Sequence, residues 1–288
     1  PIVVNQEVDD IGIFLGEVQQ KLHLFGRYGI LMFALSGIDI ALWDIAAKTV
    51  NMPLWRLLGE RRQDRLPAYA SLYRYGEPEI VAERCSQAIG EGYGSIKLHE
   101  IEDQEVAAAR DTVGEGFPIM LDTNCPWTVA EAHKRAASLR QFRLHWLEEP
   151  IFPPENFKAL AALQEKFDIP IAAGENACTS FEFEKMFEAG AVRYAQPSVT
   201  KVGGVTELRK VASQCSVAGI QLMPHSPYFG PGFLATLQLA ALESSNCMIE
   251  RFFLTPEASL YGEWIDPTDG AFDLPEGPGL GLLPDLDV

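Results

Sequence analysis

A chain of 288 residues with 47% hydrophobic side chains is long enough to bury a large core, and an α/β barrel uses about 250 residues as one domain. Its net charge of −17 repels polyanions at long range, which argues against nucleic acid or an anionic membrane as a partner. An anionic small substrate would need local cations to reverse that field.

The segment from Ile11 to Leu58 reads as helices without strand partners, and a charged linker follows, so residues 1–65 form a separate helical module. Its longest apolar stretch, 30–47, contains Asp39 and Asp44, which marks a buried helix rather than a membrane span. From residue 66 onward strand-like and helix-like runs alternate. Strands are expected at 67–72, 94–99, 119–122, 145–148, 171–175, 193–197, 221–225 and 247–250, at intervals of roughly 25 residues, the length of a compact βα unit. Helical periodicity fills the gaps, as in Val129, Ala132, Ala136 and Leu139. Eight such strands would close a barrel over 66–253. The tail, 254–288, is rich in Gly and Pro and is expected to wander over the surface towards the helical module. Its Gly-x-Gly-x-Gly spacing does not follow a strand, so a dinucleotide site is not indicated.

Asp122, Glu148 and Glu175 each close an apolar run about one βα unit apart. Any one of them could be a helix cap. Three in the same phase on neighbouring strands offer the hard oxygen ligands that Mg²⁺ takes, leaving positions for water and substrate. Lys97 and His99, two apart on strand two, share one face. His225 ends strand seven, on another side of the ring. Lys97 and His99 are therefore candidate bases, with His225 as the candidate acid. A dication nearby would disfavour the ammonium form of Lys97, whereas a surface ion pair with Glu100 or Glu102 is its bland alternative. Asn124, Glu149, Ser198, Lys201 and Glu250 are candidates for binding substrate or supporting the ligands. His23, His133 and His145 lack such company and read as structural. The five cysteines are odd in number and have no CxxC spacing, so neither a disulfide framework nor a zinc cluster is indicated, and a reducing cytoplasm suits them. Cys125 and Cys178 lie near the acids and read as packing.

These residues resemble the enolase superfamily, in its mandelate racemase and muconate lactonizing enzyme branch. The likeness runs through Ser36-Gly37-Ile38-Asp39-Ile40-Ala41-Leu42-Trp43-Asp44, Asp122-Thr123-Asn124, Glu148-Glu149-Pro150, Gly174-Glu175-Asn176, Lys201-Val202-Gly203-Gly204, His225 and Glu250. It implies a modified TIM barrel, (β/α)₇β, under a capping domain of which 1–65 is the helical part, with Mg²⁺ on Asp122, Glu148 and Glu175 and removal of a proton α to a carboxylate. It also implies a symmetric homo-oligomer and a small carboxylate substrate. Two departures stand out. The common Lys-x-Lys of strand two is Lys97-Leu98-His99 here, and Ser198 occupies the strand-six position where relatives carry Asp or Lys. The family's capping domain opens with a β-rich segment that this chain begins too late to supply, so an earlier N-terminal segment is expected.

Dehydration of a hydroxy acid or acid sugar needs one base and one acid, which Lys97 or His99 and His225 can provide. A racemase or epimerase needs proton carriers on both faces of one carbon, and Ser198 cannot stabilise an imidazolium as a carboxylate would. That reading comes second, and a non-catalytic barrel third.

Overall fold

The computed structural model describes residues 2–243 and 246–288. Three helices come first: α1 (Ile11–Lys21), α2 (Gly29–Thr49) and α3 (Leu54–Leu58). The alternating part then runs β1 (Arg65–Ser71), α4 (Pro78–Gly90), β2 (Ile96–Leu98), α5 (Asp103–Val113), β3 (Ile119–Asp122), α6 (Val129–Leu139), β4 (Trp146–Glu148), α7 (Phe157–Phe167), β5 (Ile171–Ala173), α8 (Ser180–Glu188), β6 (Tyr194–Ala195), α9 (Gly204–Ala218), β7 (Gln221–Leu222), α10 (Pro231–Ala240) and β8 (Ile249–Phe252), with β9 (Ala271–Asp273) in the tail. The hydrogen-bonded order is β7-β6-β5-β4-β3-β2-β1-β8, all parallel. Each of the six steps between strands consecutive in sequence, β1 to β7, is bridged by a helix, the connection such pairing requires.

The pleat sorts the strand residues into two buried sets. Ala68, Ala70, Ile96, Leu98, Ile119, Leu121, Leu147, Ile171, Ala195, Leu222 and Ile249 join the large core shared with the helices. Their neighbours Tyr69, Met120, Trp146, Ala172 and Met223 form a second cluster inside the barrel, where Trp146 stacks on Tyr69 (5.8 Å, edge-on) and on Tyr194 (4.9 Å). Period-two alternation with both faces buried is the signature of a barrel strand. One step further along each strand, the inward positions become Ser71, Lys97, Asp122, Glu148 and Glu250.

Ring closure differs from expectation. Among the described residues no ladder joins β7 to β8. β7 has only two residues and runs into Pro224, which has no N–H to donate. Side chains fill the seam: Met248 N donates to Met223 Sδ (3.4 Å), and Ser226 N and Oγ donate to Glu250 Oε2 and the Glu250 carbonyl (both 3.3 Å). β5 also stops short of Glu175. At Gly174 φ is +139°, and a Cβ there would meet the Phe183 ring at 2.7 Å and Gln196 N at 3.0 Å, so only glycine lets the chain leave the ladder there.

The tail is more ordered than its composition predicts. β9 pairs antiparallel with the start of β1, Arg65 opposite Asp273. Further on, Gly279 N donates to Met52 O (2.9 Å) and Leu54 N to Gly279 O (2.7 Å). By length and composition α2 could cross a membrane, and only a third of its apolar window is buried. It packs on α9 instead: Asp39 accepts from Thr206 N (3.0 Å) and Thr206 Oγ1 (2.5 Å), Trp43 Nε1 donates to Thr206 Oγ1 (2.9 Å), and Gly203 N donates to Ser36 Oγ (2.9 Å). The outer face, with Ile30, Phe33 and Ile45, stays exposed.

Candidate metal centre and acid–base site

The carboxyl ends of β2, β3, β4 and β8 and the turn after β5 converge on one cluster. Ligand atoms of Asp122, Glu148 and Glu175 all lie within 4.8 Å of one another. In their midst Lys97 Nζ, fully buried, approaches Glu250 Oε1 (2.8 Å), Glu148 Oε1 (3.0 Å) and Asp122 Oδ2 (3.3 Å). The surface ion pair considered for Lys97 is not formed; Glu100 instead accepts from the backbone of Tyr75 and Gly76. With the acids alone around it, the ammonium form is favoured. Burial opposes its charge, but Glu148 and Glu250 outweigh burial and hold the lysine well above its usual pKa.

Three buried acids and the half-buried Glu175 surround one lysine here, and the imbalance shows in their titration. Burial raises Asp122, Glu175 and Glu250, yet Lys97 and His99 bring Asp122 down, His225 brings Glu175 down, and Lys97 with His225 takes Glu250 to about 2. Glu148 goes the other way. Burial, and then the charge of Asp122, push its carboxyl well up although Lys97 pulls against them. A group of three oxygen donors this close, two of them buried and the third half-buried, and short of positive charge fits a hard divalent cation such as Mg²⁺.

The supports of these acids are specific. Trp146 Nε1 donates to Glu148 Oε2 (2.9 Å), Asn124 donates to Asp122 Oδ1 through N and Nδ2 (3.0 Å each), and Ser71 Oγ donates to Glu250 Oε1 (2.8 Å). Glu149 turns away from Glu148 at φ +41° and accepts from Asn176 Nδ2 (2.6 Å) and Cys125 Sγ (3.3 Å), tying the β3, β4 and β5 loops together. Burial, with Glu175 and Asp122, raises its carboxyl to about 7. Burial also raises the thiols of Cys125 and Cys178, so neither is an activated nucleophile.

Two imidazoles reach the cluster from different sides. His99 Nε2 sits 3.3 Å from Asp122 Oδ2, and its Nδ1 lies 2.5 Å from the Leu72 carbonyl. His225 Nε2 sits 2.8 Å from Glu175 Oε2, and its Nδ1 faces Ser198 Oγ at 2.7 Å and the Tyr228 hydroxyl at 3.2 Å. Lys201 Nζ makes no ion pair within 4.0 Å among the described residues, and Lys201 N donates to Ser198 O. Ser71, Trp146 and Tyr228 were missed from sequence. Ser71 ends its strand as the acids end theirs, and Tyr228 follows His225 by three, but a hydroxyl or an indole gives no signal until its partner is placed. A cavity of about 1190 Å³ opens at the opposite mouth past Ser95, His145 and Arg193. It holds none of the converging acids, and barrel chemistry belongs at the carboxyl ends.

Residues 80–288 match the enolase C-terminal domain-like family, and residues 1–59 match the mandelate racemase / muconate lactonizing enzyme N-terminal domain. The chain belongs to the enolase superfamily, in the mandelate racemase and muconate lactonizing enzyme branch. It is 32% identical over 279 residues to a 3,6-anhydro-alpha-L-galactonate cycloisomerase of Streptomyces coelicolor, covering 93% of this chain and 74% of that one. It is 31% identical to a D-galactonate dehydratase of Klebsiella pneumoniae, covering 95% and 78%. Among solved structures, a mandelate racemase/muconate lactonizing protein of Paracoccus denitrificans complexed with magnesium superposes with a TM-score of 0.89 at 26% identity, covering 98% of this chain and 81% of that one. The branch is one of enzymes, with lyases and isomerases among these relatives.

Proposed function

We propose that this chain dehydrates a sugar acid, removing the proton α to the carboxylate and expelling the β-hydroxyl as water, to give a 2-keto acid. The observation that carries this is the unequal setting of the two imidazoles. The Leu72 carbonyl can only accept, so His99 keeps a proton on Nδ1, and the proton that comes and goes is on Nε2, the nitrogen facing the acids. That suits a base. His225, on the other flank, meets hydroxyls rather than a carboxylate at Nδ1 and suits an acid that protonates the departing hydroxyl. Lys97 Nζ, held charged between the acids, is placed to meet a substrate carboxylate as a cation. Asp122, Glu148 and Glu175 are the residues that would hold Mg²⁺, which when bound supplies the Lewis-acid charge that makes a proton beside a carboxylate acidic. Tyr69 and Trp146 close the barrel beneath the cluster and keep water from below.

A second reading, isomerisation, is favoured by the cycloisomerase relative. Both begin with the same proton removal and part at the second step. A library of sugar acids incubated in D₂O with Mg²⁺ separates them: dehydration yields a 2-keto acid, and isomerisation yields rearranged or inverted, deuterated substrate. Recovery of the latter without keto acid would overturn the dehydratase reading. His99→Asn is expected to lower kcat by on the order of 10²- to 10⁴-fold. Asp122→Asn should abolish Mg²⁺ binding by calorimetry.

A further inference from the structure

We propose that Arg74 is a specificity-determining residue whose guanidinium takes a second anionic group at the far end of the substrate, so that the sugar acid is a dicarboxylate, an aldarate, rather than a monocarboxylate. The proposal deepens the dehydratase reading and rests on it for the chemistry at the α-carbon.

Arg74 stands three residues beyond the end of β1 and reaches across the carboxyl ends of the neighbouring strands. Its Nε donates to the His99 carbonyl (2.5 Å) and its Nη2 to the Thr123 carbonyl (3.4 Å), just past β2 and β3. It is thus bonded to the main chain of the candidate base and of the residue that follows Asp122. The His99 ring reaches from that same residue to Asp122 Oδ2 at 3.3 Å, so one histidine separates the guanidinium from the acids. The carbon chain beyond the α-carbon of a six-carbon acid can bridge such a span.

Both bonds of Arg74 go to uncharged carbonyls, and among the described residues no carboxylate lies within 4.0 Å of it. Glu100 feels its charge but spends its oxygens on Tyr75 N (2.7 Å) and Gly76 N (3.2 Å). A guanidinium offers five N–H donors in a planar fork that matches a carboxylate. Two are given to carbonyls here and three are left for a ligand. On a chain of net charge −17 an exposed cation with no acid against it, at the catalytic mouth, is the local reversal of sign that an anion requires. The acid cluster cannot serve a second anion. Even with a dication bound, its charge and that of Lys97 are outnumbered by Asp122, Glu148, Glu175 and Glu250 together. A far carboxylate must therefore find its own cation. Lys201, in the loop after β6, is the competing candidate.

The test compares matched pairs on the full, Mg²⁺-loaded chain: glucarate with gluconate, galactarate with galactonate and mannarate with mannonate, by kcat/KM and by calorimetric binding. In at least one pair the wild type is expected to favour the dicarboxylate by about 10-fold or more. Arg74→Gln should erase that preference through KM and through binding, with kcat and the monocarboxylate changed by less than about 3-fold. Arg74→Lys, which keeps the charge without the fork, should restore part of it. The proposal is overturned if no aldarate binds, if no pair shows the preference, if Arg74→Gln weakens both members equally, as a mere clamp on the strand ends would, or if Lys201→Met and not Arg74→Gln removes the preference. An aldarate that binds through Arg74 without giving a 2-keto acid would instead sink the dehydratase reading and keep the subsite. Aldonates dehydrated with no dependence on Arg74 would sink the subsite and keep the reading.

Discussion

Lys97, His99 and Trp146 show at the scale of single residues how one inward position after another was given over to the acids. Trp146 is both the floor of the site and the donor to Glu148 Oε2 at 2.9 Å. Supports of this kind typically change metal affinity by about 10- to 100-fold. Trp146→Phe keeps an aromatic ring beside Tyr69, removes the N–H and leaves a small cavity where the larger indole packed. It is expected to fold normally and to weaken Mg²⁺ binding by about 10-fold or more in a calorimetric titration; unchanged affinity would mean that Glu148 needs no such orientation. The acids themselves were legible because each follows an apolar run at a barrel interval. Tyr228 was not, since its meaning depends on Ser198, which lies thirty positions earlier in the chain, in the loop after β6, and comes within hydrogen-bond reach only in the fold.

Elements follow the same division between local and non-local causes. Eight parallel strands and their helices could be read because period-two and period-3.6 patterns are local. β9 could not, because three residues, Ala271–Asp273, become a strand only by pairing with β1 some two hundred residues away. The docking of α2 on α9 is likewise non-local. Asp39 lies against the glycines that open α9, where a Cβ on Gly204 would fall 2.2 Å from Asp39 Oδ1. Burial raises the Asp39 carboxyl from 3.8 to about 6, against the pull of its Thr206 bonds. The folded state thus holds a proton that the unfolded chain has already released. Stability falls as pH rises from about 4 to about 6, by about 3 kcal/mol at most, and stays lower above it. Chemical denaturation of wild type and Asp39→Asn across that window checks this. Wild type should lose stability with rising pH relative to the variant, in which no proton is exchanged at this position, and parallel curves would refute it.

For the whole molecule the question is what makes the helical module, the barrel and the tail one body. Gln238, on α10 and fully buried, touches all three: its Oε1 accepts from Trp55 N (3.0 Å), and its Nε2 donates to Pro275 O (2.9 Å) and Leu280 O (3.3 Å). Around it Leu280 N donates to Asp44 Oδ1 (2.8 Å), and Gly279 stands at φ +73° with its Cβ position 2.1 Å from Asp44 Oδ1. Tail, α3 and α2 thus meet at one buried polar point whose every partner depends on the others. Gln238→Leu preserves volume and apolar contact but leaves one N–H and two carbonyls without their partner. At about 1–3 kcal/mol for a buried group left unpaired, a loss of about 3 kcal/mol or more is expected, a fall in Tm of roughly 6–12 °C for a chain of this size. Because the lost bonds are the ones that cross between segments, calorimetry should show the single wild-type transition broaden or split. A variant that melts as one transition at the wild-type temperature would place the coupling in apolar packing instead, with Gln238 contributing no net stability.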